Sequence, residues 1–230
     1  MKQLAMFVVG IGFLFSGLNA QTDTTMKTEK AKVSYIIGTD IGKNLKKQSI
    51  DVDPDLLFMG IKDGLMDNKL LLPDSVIQTC MAAFQQEMMA KQTAMSAKLA
   101  EKNMEEGKAF LEANKKRDSV VTLPSGLQYK ILVKGTGKTP SVDDTVTTHY
   151  KGMLIDGTEF DNSYKRGEPA TFPVKGVIPG WTEALQLMPV GSKWELFIPS
   201  ELAYGERGAG QVIGPNSTLI FEVELLSISK

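Results

Sequence analysis

The stretch that decides the fold is Tyr-Lys-Gly-Met-Leu-Ile-Asp-Gly-Thr-Glu-Phe-Asp-Asn-Ser, residues 150–163 of a 230-residue chain. It starts inside a segment, residues 145–154, whose pattern is typical of a β-strand. Asp156 and Gly157 follow this segment after one residue, Ile155, and this dipeptide is a strong signal for a tight hairpin turn. The sequence therefore predicts a strand that ends in a hairpin.

The rest of the C-terminal half has the same character. Period-two patterns predict further strands over residues 127–133, 194–198 and 218–228. Between the strands, residues 180–188 predict a short helix that Pro189 and Gly191 end. We therefore predict an α+β fold, in which an antiparallel β half-barrel wraps around one short helix and an apolar cavity.

The N-terminal half has helical patterns instead. Apolar residues recur at steps of three and four in the first helix, namely Val33, Ile36, Ile37, Ile41 and Leu45. Asp53 and Pro54 predict the start of a second helix, and residues 73–75 predict the start of a third. Helices this short bury little apolar surface alone, so we expect residues 21–90 to form an all-α domain that makes a homodimer. A monomeric three-helix subdomain is the alternative.

Residues 91–120 predict a linking helix or stalk. The apolar residues thin out here to Met95, Leu99 and Met104, while the helix propensity stays high. A helix of some forty residues would extend for about 60 Å. Gly107 is the predicted weak point of this helix, because glycine costs ~1 kcal/mol relative to alanine.

The first twenty residues predict a signal peptide. Lys2 precedes an apolar run over residues 4–18, and Ala20 offers a small residue for cleavage. The run is shorter than the roughly 20 residues of a membrane-spanning helix, although an uncleaved anchor is the alternative. No cysteine follows Ala20, which argues against a lipoprotein. We expect the mature chain to be periplasmic, either free or associated with the outer membrane.

Composition excludes several classes of function. The chain has 26 basic and 27 acidic residues, so it lacks the basic excess of a nucleic-acid-binding protein. It has one histidine, His149, and one cysteine, Cys80. These counts argue against a metal site, a catalytic triad and an internal disulfide. We interpret Cys80 as a helix core residue, with an intermolecular disulfide as the alternative, and we expect no cofactor.

One set of residues points to a binding cavity without a nucleophile. Its members are mostly aromatic or aliphatic, with one acid and one base: Tyr150, Phe160, Asp161, Arg166, Val177, Ile178, Trp181, Tyr204 and Phe221. A single aromatic residue in a β domain is usually core, so only the whole set of residues indicates a binding site. With these residues and their spacings, residues 124–230 resemble the FK506-binding-protein family of peptidyl-prolyl cis-trans isomerases.

The resemblance implies a role for each residue. Asp161, Tyr204, Phe160 and Trp181 are the implied catalytic residues, with Trp181 as the floor beneath the proline ring. The implied substrate-binding residues are Tyr150, Arg166, Val177, Ile178 and Phe221. The resemblance also implies that the Tyr204 hydroxyl and the Ile178 N–H hold substrate carbonyls, and that Asp161 faces the twisting amide. Arg166 would orient Asp161 or Tyr150, unless it forms only a surface ion pair.

Two positions depart from the family pattern. Ala170 replaces a frequent phenylalanine, and Ala209 replaces a frequent histidine. Both changes predict a smaller rim, a wider mouth and weaker binding of macrolides of the FK506 and rapamycin type. The upstream half resembles the helical dimerisation region of periplasmic and surface isomerases of Gram-negative bacteria. That resemblance implies a dimer with two isomerase domains on long helices.

The resulting prediction is a peptidyl-prolyl cis-trans isomerase with chaperone activity, which acts on proline-containing unfolded polypeptides. Its isomerase domain would span residues 121–230. One alternative is a non-enzymatic periplasmic chaperone that uses the cavity only to bind chain. The other is an interaction module that docks a single folded partner.

Overall fold

A computed structural model describes residues 26–229 of the chain. The predicted signal peptide, residues 1–20, lies outside the described residues. The chain divides into two compact units that meet between Ile77 and Gln78.

The first unit contains two capped helices, α1 (Glu29–Lys47) and α2 (Pro54–Leu65). The Thr28 side chain caps α1 by accepting a hydrogen bond from the Ala31 N–H at 3.1 Å. The Asp53 carboxylate caps α2, and Pro54 occupies its first turn. The predicted start of the second helix is therefore confirmed, because a capping acid and a proline together favour this geometry.

Neither of these helices has a buried residue. The predicted apolar stripe of α1 lies in solvent in the single chain, with Ile36 59% and Ile37 54% exposed. A cleft of ≈ 310 Å³ lies between α1 and α2, and its wall includes Ile41, Leu57 and Ile61. An amphipathic helix of a folded protein normally buries such a stripe.

Helix α3 (Asp74–Asn114) is one continuous helix of 41 residues. The sequence predicts a third helix and, after it, a separate stalk. In the structure both belong to α3. It passes through Gly107 without a break, and Gly107 and Asn114 are its buried residues. Cys80 is exposed on this helix, so its assignment as a core residue of the single chain is wrong. Within residues 26–229, no helix is both long enough and apolar enough to cross a membrane.

The C-terminal unit is built on seven antiparallel strands. They are β1 (Val120–Thr122), β2 (Gln128–Val133), β3 (Thr145–Leu154), β4 (Glu159–Asn162), β5 (Ala170–Pro173), β6 (Lys193–Ile198) and β7 (Leu219–Ser229). Their order is β1-β2-β6-β7-β3-β4, and β5 also pairs with β3. The sheet is open, as a half-barrel requires. Strands β1, β4 and β5 were not predicted, since three or four residues are too few to show an alternation.

Two short helices complete this unit, α4 (Ser163–Arg166) and α5 (Pro179–Leu185). Helix α5 contributes Trp181, Ala184 and Leu185 to the core that the sheet curves around. It lies close to the sheet because Gly180 has no side chain. A Cβ atom at Gly180 would lie 2.5 Å from Ile198 Cγ2. The predicted α+β class, with strands around one short helix, is confirmed.

Candidate functional site

A cavity of ≈ 720 Å³ opens between α5, the sheet and the loop that follows β6. Eight of the nine predicted site residues line it: Tyr150, Phe160, Asp161, Val177, Ile178, Trp181, Tyr204 and Phe221. The ninth, Arg166, is hydrogen-bonded to two of these residues, Tyr150 and Asp161. The structure thus brings together residues from β3, β4, β7, α5 and two loops.

Trp181 forms the floor of this cavity. It is 4% exposed, and three other rings present their edges or faces to it at close to right angles. The ring centroids of Tyr150 and Phe221 each lie 5.3 Å from that of Trp181. Phe172, which was not predicted, lies at 6.0 Å. Such edge-to-face packing fixes the indole orientation, so the floor is rigid and apolar.

Asp161 supplies the polar edge of the cavity, and two neighbours hold it. The Tyr150 hydroxyl donates a hydrogen bond to Oδ2 of Asp161, and the Arg166 guanidinium donates to Oδ1. Arg166 Nη2 also donates to the Tyr150 hydroxyl at 3.0 Å, and its guanidinium carbon lies 5.4 Å from the Tyr150 ring centroid. Arg166 therefore contacts both of the residues between which the sequence left the choice open, and its pair with Asp161 is partly exposed.

The network also fixes the protonation states of its members. Burial would raise the pKa of Asp161, but the hydrogen bonds from Tyr150 and Arg166 and the charge of Arg166 outweigh it and lower the pKa. Burial, together with the hydrogen bond to Asp161, raises the pKa of Tyr150. Both shifts separate the two pKa values further, so at neutral pH Asp161 is a carboxylate and Tyr150 is a neutral donor.

These shifts predict a flat pH profile for any activity that depends on the network. Because the pKa of Asp161 is lowered, its carboxylate stabilises the folded state at pH values above the ordinary pKa of an aspartate. That contribution is lost as the pH falls through the lowered pKa. Because the pKa of Tyr150 is raised, its neutral hydroxyl stabilises the folded state at pH values below the ordinary pKa of a tyrosine. That contribution is lost as the pH rises through the raised pKa. We expect kcat/KM to stay constant within about twofold from roughly pH 5 to 9.

The profile is measured with an uncharged substrate peptide, and far-ultraviolet circular dichroism at each pH serves as the control for folding. A tenfold step in kcat/KM between those limits, with the fold intact, would contradict the proposed protonation states.

Local sequence explains how Arg166 reaches this position. The Asn162 side chain caps α4 by accepting from the Tyr164 N–H at 2.9 Å, and Gly167 ends the helix in the left-handed region with φ 81°. Ser163 is fully buried, and its hydroxyl accepts from the Tyr150 N–H at 2.7 Å. Asn162 and Ser163 therefore tie α4 to β3, and neither was predicted.

A glycine on β3 makes room for the cavity wall. A Cβ atom at Gly152 would lie 2.5 Å from a ring carbon of Phe160 and 2.7 Å from one of Phe221. Without it, these two rings pack edge to face with their centroids 5.5 Å apart. The alternation of β3 places Gly152 on the same face as Tyr150, which is the signal that sequence reasoning did not use.

His149 lies on the opposite face of β3 from the cavity, as its position beside Tyr150 predicts. Its Nδ1 atom is 3.0 Å from the Ser163 hydroxyl oxygen, and its ring stacks on Tyr164 with centroids 4.5 Å apart. It therefore supports the strand from outside the cavity.

The two departures from the family pattern have different positions. Ala209 lines the cavity together with residues 210–213, none of which was predicted. Ala170 lies in β5, where it pairs with Thr148 of β3 and packs against the core. It is not among the residues that line the cavity. The predicted effect on the cavity rim therefore has a structural basis at Ala209 and lacks one at Ala170.

Two family models match the chain. Residues 136–226 match the FKBP-type peptidyl-prolyl cis-trans isomerase domain. Residues 30–131 match the domain amino terminal to FKBP-type peptidyl-prolyl isomerase. The two matches together cover both halves of the chain.

Similar proteins extend over the same length. The outer membrane protein MIP of Legionella longbeachae is 51% identical over 100% of this chain and 99% of that protein. The peptidyl-prolyl cis-trans isomerase Mip of Coxiella burnetii is 44% identical over 100% of both chains. The crystal structure of FkpA from Escherichia coli has a TM-score of 0.70 at 41% identity, and the match covers 88% of this chain and 98% of that one.

Proposed function

The chain belongs to the family of FKBP-type peptidyl-prolyl cis-trans isomerases, and from this membership we propose that it accelerates X-Pro isomerisation in unfolded extracytoplasmic proteins. The observation that carries the proposal is the joint placement of eight predicted residues around one apolar cavity with a single ionised acid, Asp161. This chemistry suits a reaction that breaks no covalent bond.

The physical reason lies in the amide bond. An X-Pro bond has similar energies in cis and trans, yet its isomers exchange over tens to hundreds of seconds. The barrier of about 18–20 kcal/mol comes from amide resonance, which places partial charges on oxygen and nitrogen. Water stabilises this charge separation, and an apolar cavity does so less. Because the twisted state has less charge separation, moving the bond into the cavity lowers the barrier.

Each site residue has a part in this mechanism. We assign Trp181 as the floor for the proline ring and Phe160 and Phe221 as walls that exclude water. The Ile178 carbonyl accepts the first hydrogen bonds of α5, from the N–H groups of Trp181 and Thr182 at 2.9 and 3.1 Å. We assign the Ile178 N–H as the donor for a substrate carbonyl. The Tyr204 side chain is 41% exposed at the mouth of the cavity, where its hydroxyl would bind another.

Asp161 is assigned the electrostatic step. Its carboxylate is held by Tyr150 and Arg166, so it needs no reorganisation when the amide twists. Val177 lines the same cavity and completes its apolar wall. No proton transfer, metal or cofactor enters this mechanism.

Two activities of the full chain test the functional proposal. The first is the refolding rate of a reduced, carboxymethylated protein whose folding is limited by proline isomerisation. The second is the suppression of aggregation of a denatured protein that has no such limit. We expect acceleration in the first assay and suppression in the second. Suppression without acceleration would favour the non-enzymatic chaperone, and a saturable complex with one folded protein would favour the docking module.

We also propose that the chain forms a homodimer through its N-terminal helices. Support comes from the exposed apolar residues of α1, the cleft between α1 and α2, and the match to the amino-terminal domain of the family. A second copy would bury this surface. The periplasm is the proposed location, because the N-terminal segment resembles a signal peptide and one relative is named an outer membrane protein.

Placing a charge on this surface is expected to dissociate the dimer. Ile37→Glu should weaken self-association at least about a hundredfold, since burying an unpaired carboxylate costs several kcal/mol. Analytical ultracentrifugation over a range of concentrations measures the effect. Lys43→Glu, also an exposed position on α1, is the matched control and should associate like the wild type. A wild-type chain that is monomeric at micromolar concentration would contradict the proposal.

A ligand of the macrolide class is proposed for the same cavity. FK506 or rapamycin would compete with the proline-containing peptide, and Ala209 on the cavity wall leads us to expect weak binding.

A further inference from the structure

The last part of α3, residues 99–114, packs as a structural part of the isomerase unit. The Phe110 ring lies 5.9 Å from that of Phe197 in β6. Asn114, which is 2% exposed, donates to the Gln128 side chain at 2.8 Å, and Gln128 donates in turn to the Leu111 carbonyl at 3.0 Å. This end of the helix is therefore anchored to β2 and β6.

Earlier in the helix, the same face approaches residues 214–218 closely at two glycines. A Cβ atom at Gly107 would lie 2.3 Å from Thr218 Oγ1. A Cβ atom at Gly214 would lie 3.1 Å from both Leu99 and Asn103. A side chain at Gly107 would thus overlap Thr218, while one at Gly214 would need Leu99 and Asn103 to shift slightly. Gly107 is a contact site and not the predicted weak point.

Polar contacts fix the register between the helix and this segment. The Asn103 side-chain amide donates to the Pro215 carbonyl at 2.7 Å and lies 3.3 Å from the Ser217 hydroxyl. In the reverse direction, the Asn216 side chain donates to the Ala100 carbonyl at 3.5 Å. Two asparagines therefore join α3 and residues 215–217 from both sides.

The segment is joined directly to the cavity wall. Asn216 has a left-handed backbone with φ 55°, and its N–H donates to the Gly205 carbonyl at 2.8 Å. Gly205 follows Tyr204 in the chain. Beyond it, Ala209 and Ile213, which both line the cavity, are paired by hydrogen bonds of 2.8 and 3.2 Å. One asparagine thus contacts both the helix and the residue next to Tyr204.

We propose that Asn103 and Asn216 are positioning residues, which hold the cavity wall of residues 204–213 against α3 and thereby place Tyr204 for the substrate. This proposal rests on the proposed isomerase function. The end of α3 then supports the substrate-binding wall. This role is additional to the linking role that the sequence predicts for the helix. Loss of the support should weaken substrate binding more than it slows the bound reaction.

The test uses Asn103→Asp in the full chain. The substitution keeps the side-chain shape, removes both N–H donors and places a carboxylate oxygen against the Pro215 carbonyl. Because a partly buried hydrogen bond is lost, we expect KM for a Leu-Pro peptide to rise about threefold to tenfold. The value of kcat should stay within about twofold of the wild type. Gln92→Glu adds the same charge at an exposed position of α3 and should change neither constant.

Asn216→Gly is the second variant, since glycine tolerates the left-handed backbone and removes the side-chain hydrogen bond to Ala100. It should raise KM in the same direction. Backbone amide chemical shifts of Tyr204 and Ile213 provide a readout that does not depend on activity, and they should move in both variants.

Unchanged KM and unmoved Tyr204 and Ile213 resonances in both variants would overturn the proposal. A lower melting temperature with KM unchanged would assign Asn103 a structural role only, which also overturns it. A wild-type chain without isomerase activity would instead defeat the proposed function. The chemical shifts would then still decide whether the asparagines position the wall.

Discussion

Replacing Asp161 with asparagine is expected to lower kcat/KM for a Leu-Pro peptide by about tenfold to a hundredfold. The Asp161 carboxylate accepts from both the Tyr150 hydroxyl and the Arg166 guanidinium at the edge of the cavity. Asparagine keeps the size of the side chain but removes its charge and turns one acceptor into a donor that faces other donors. The loss falls on the transition state, because the carboxylate is aligned before the amide twists.

The control for this variant is Asp143→Asn. Asp143 forms an ion pair with Lys175 at 3.0 Å, with side chains 78% and 65% exposed, so its charge is in solvent and outside the cavity. Exposed pairs of this kind contribute little, and we expect the activity of the control to match the wild type. Suppression of aggregation should survive in Asp161→Asn. If the variant keeps more than half of the wild-type kcat/KM, Asp161 has no electrostatic role.

The second large effect is expected on stability, from Gly107→Ala. In an exposed helix this substitution would stabilise the protein by ~1 kcal/mol. Here the new methyl group would overlap Thr218 Oγ1, since their separation would be 2.3 Å. We expect the free energy of unfolding to fall by about 1–3 kcal/mol, as overpacking of a tight contact generally costs. Urea unfolding, followed by circular dichroism, measures the change.

A double-mutant cycle identifies the cause of this loss. Removing Oγ1 with Thr218→Ala leaves the nearest side-chain atom, Thr218 Cβ, 3.2 Å from the new methyl group. The double variant should therefore recover most of the stability that Gly107→Ala loses, when compared with Thr218→Ala alone. A stabilising effect of Gly107→Ala would show that residues 99–114 are not packed on the isomerase unit.

The elements that sequence predicted well are those with a long pattern. Strand β3 was predicted over its full length, because ten residues and a following Asp-Gly turn give two independent signals. The cavity residues were predicted because a whole set of residues rarely matches the identities and spacings of one family by chance. The N-terminal helices were predicted from their apolar spacing, and the absence of buried residues in α1 and α2 fits the expectation that they lack a core of their own.

What sequence missed depends on contacts between distant parts of the chain. Gly152 and Gly107 matter because rings or a threonine from elsewhere occupy the space of a side chain. Phe172 belongs to a four-residue strand that is too short to show a period. Ser163 and Asn103 are polar residues of ordinary appearance, and their partners lie 13 and 112 positions away. Only the folded chain brings these groups together.

Exchange spectroscopy by NMR measures whether this cavity accelerates X-Pro isomerisation. The cis and trans signals of a Leu-Pro peptide exchange over tens to hundreds of seconds when uncatalysed. We predict that catalytic amounts of the full chain bring this exchange into the range of seconds or faster, and that Asp161→Asn largely removes the effect. If folded wild-type protein leaves the exchange rate unchanged, the proposed isomerase function is wrong.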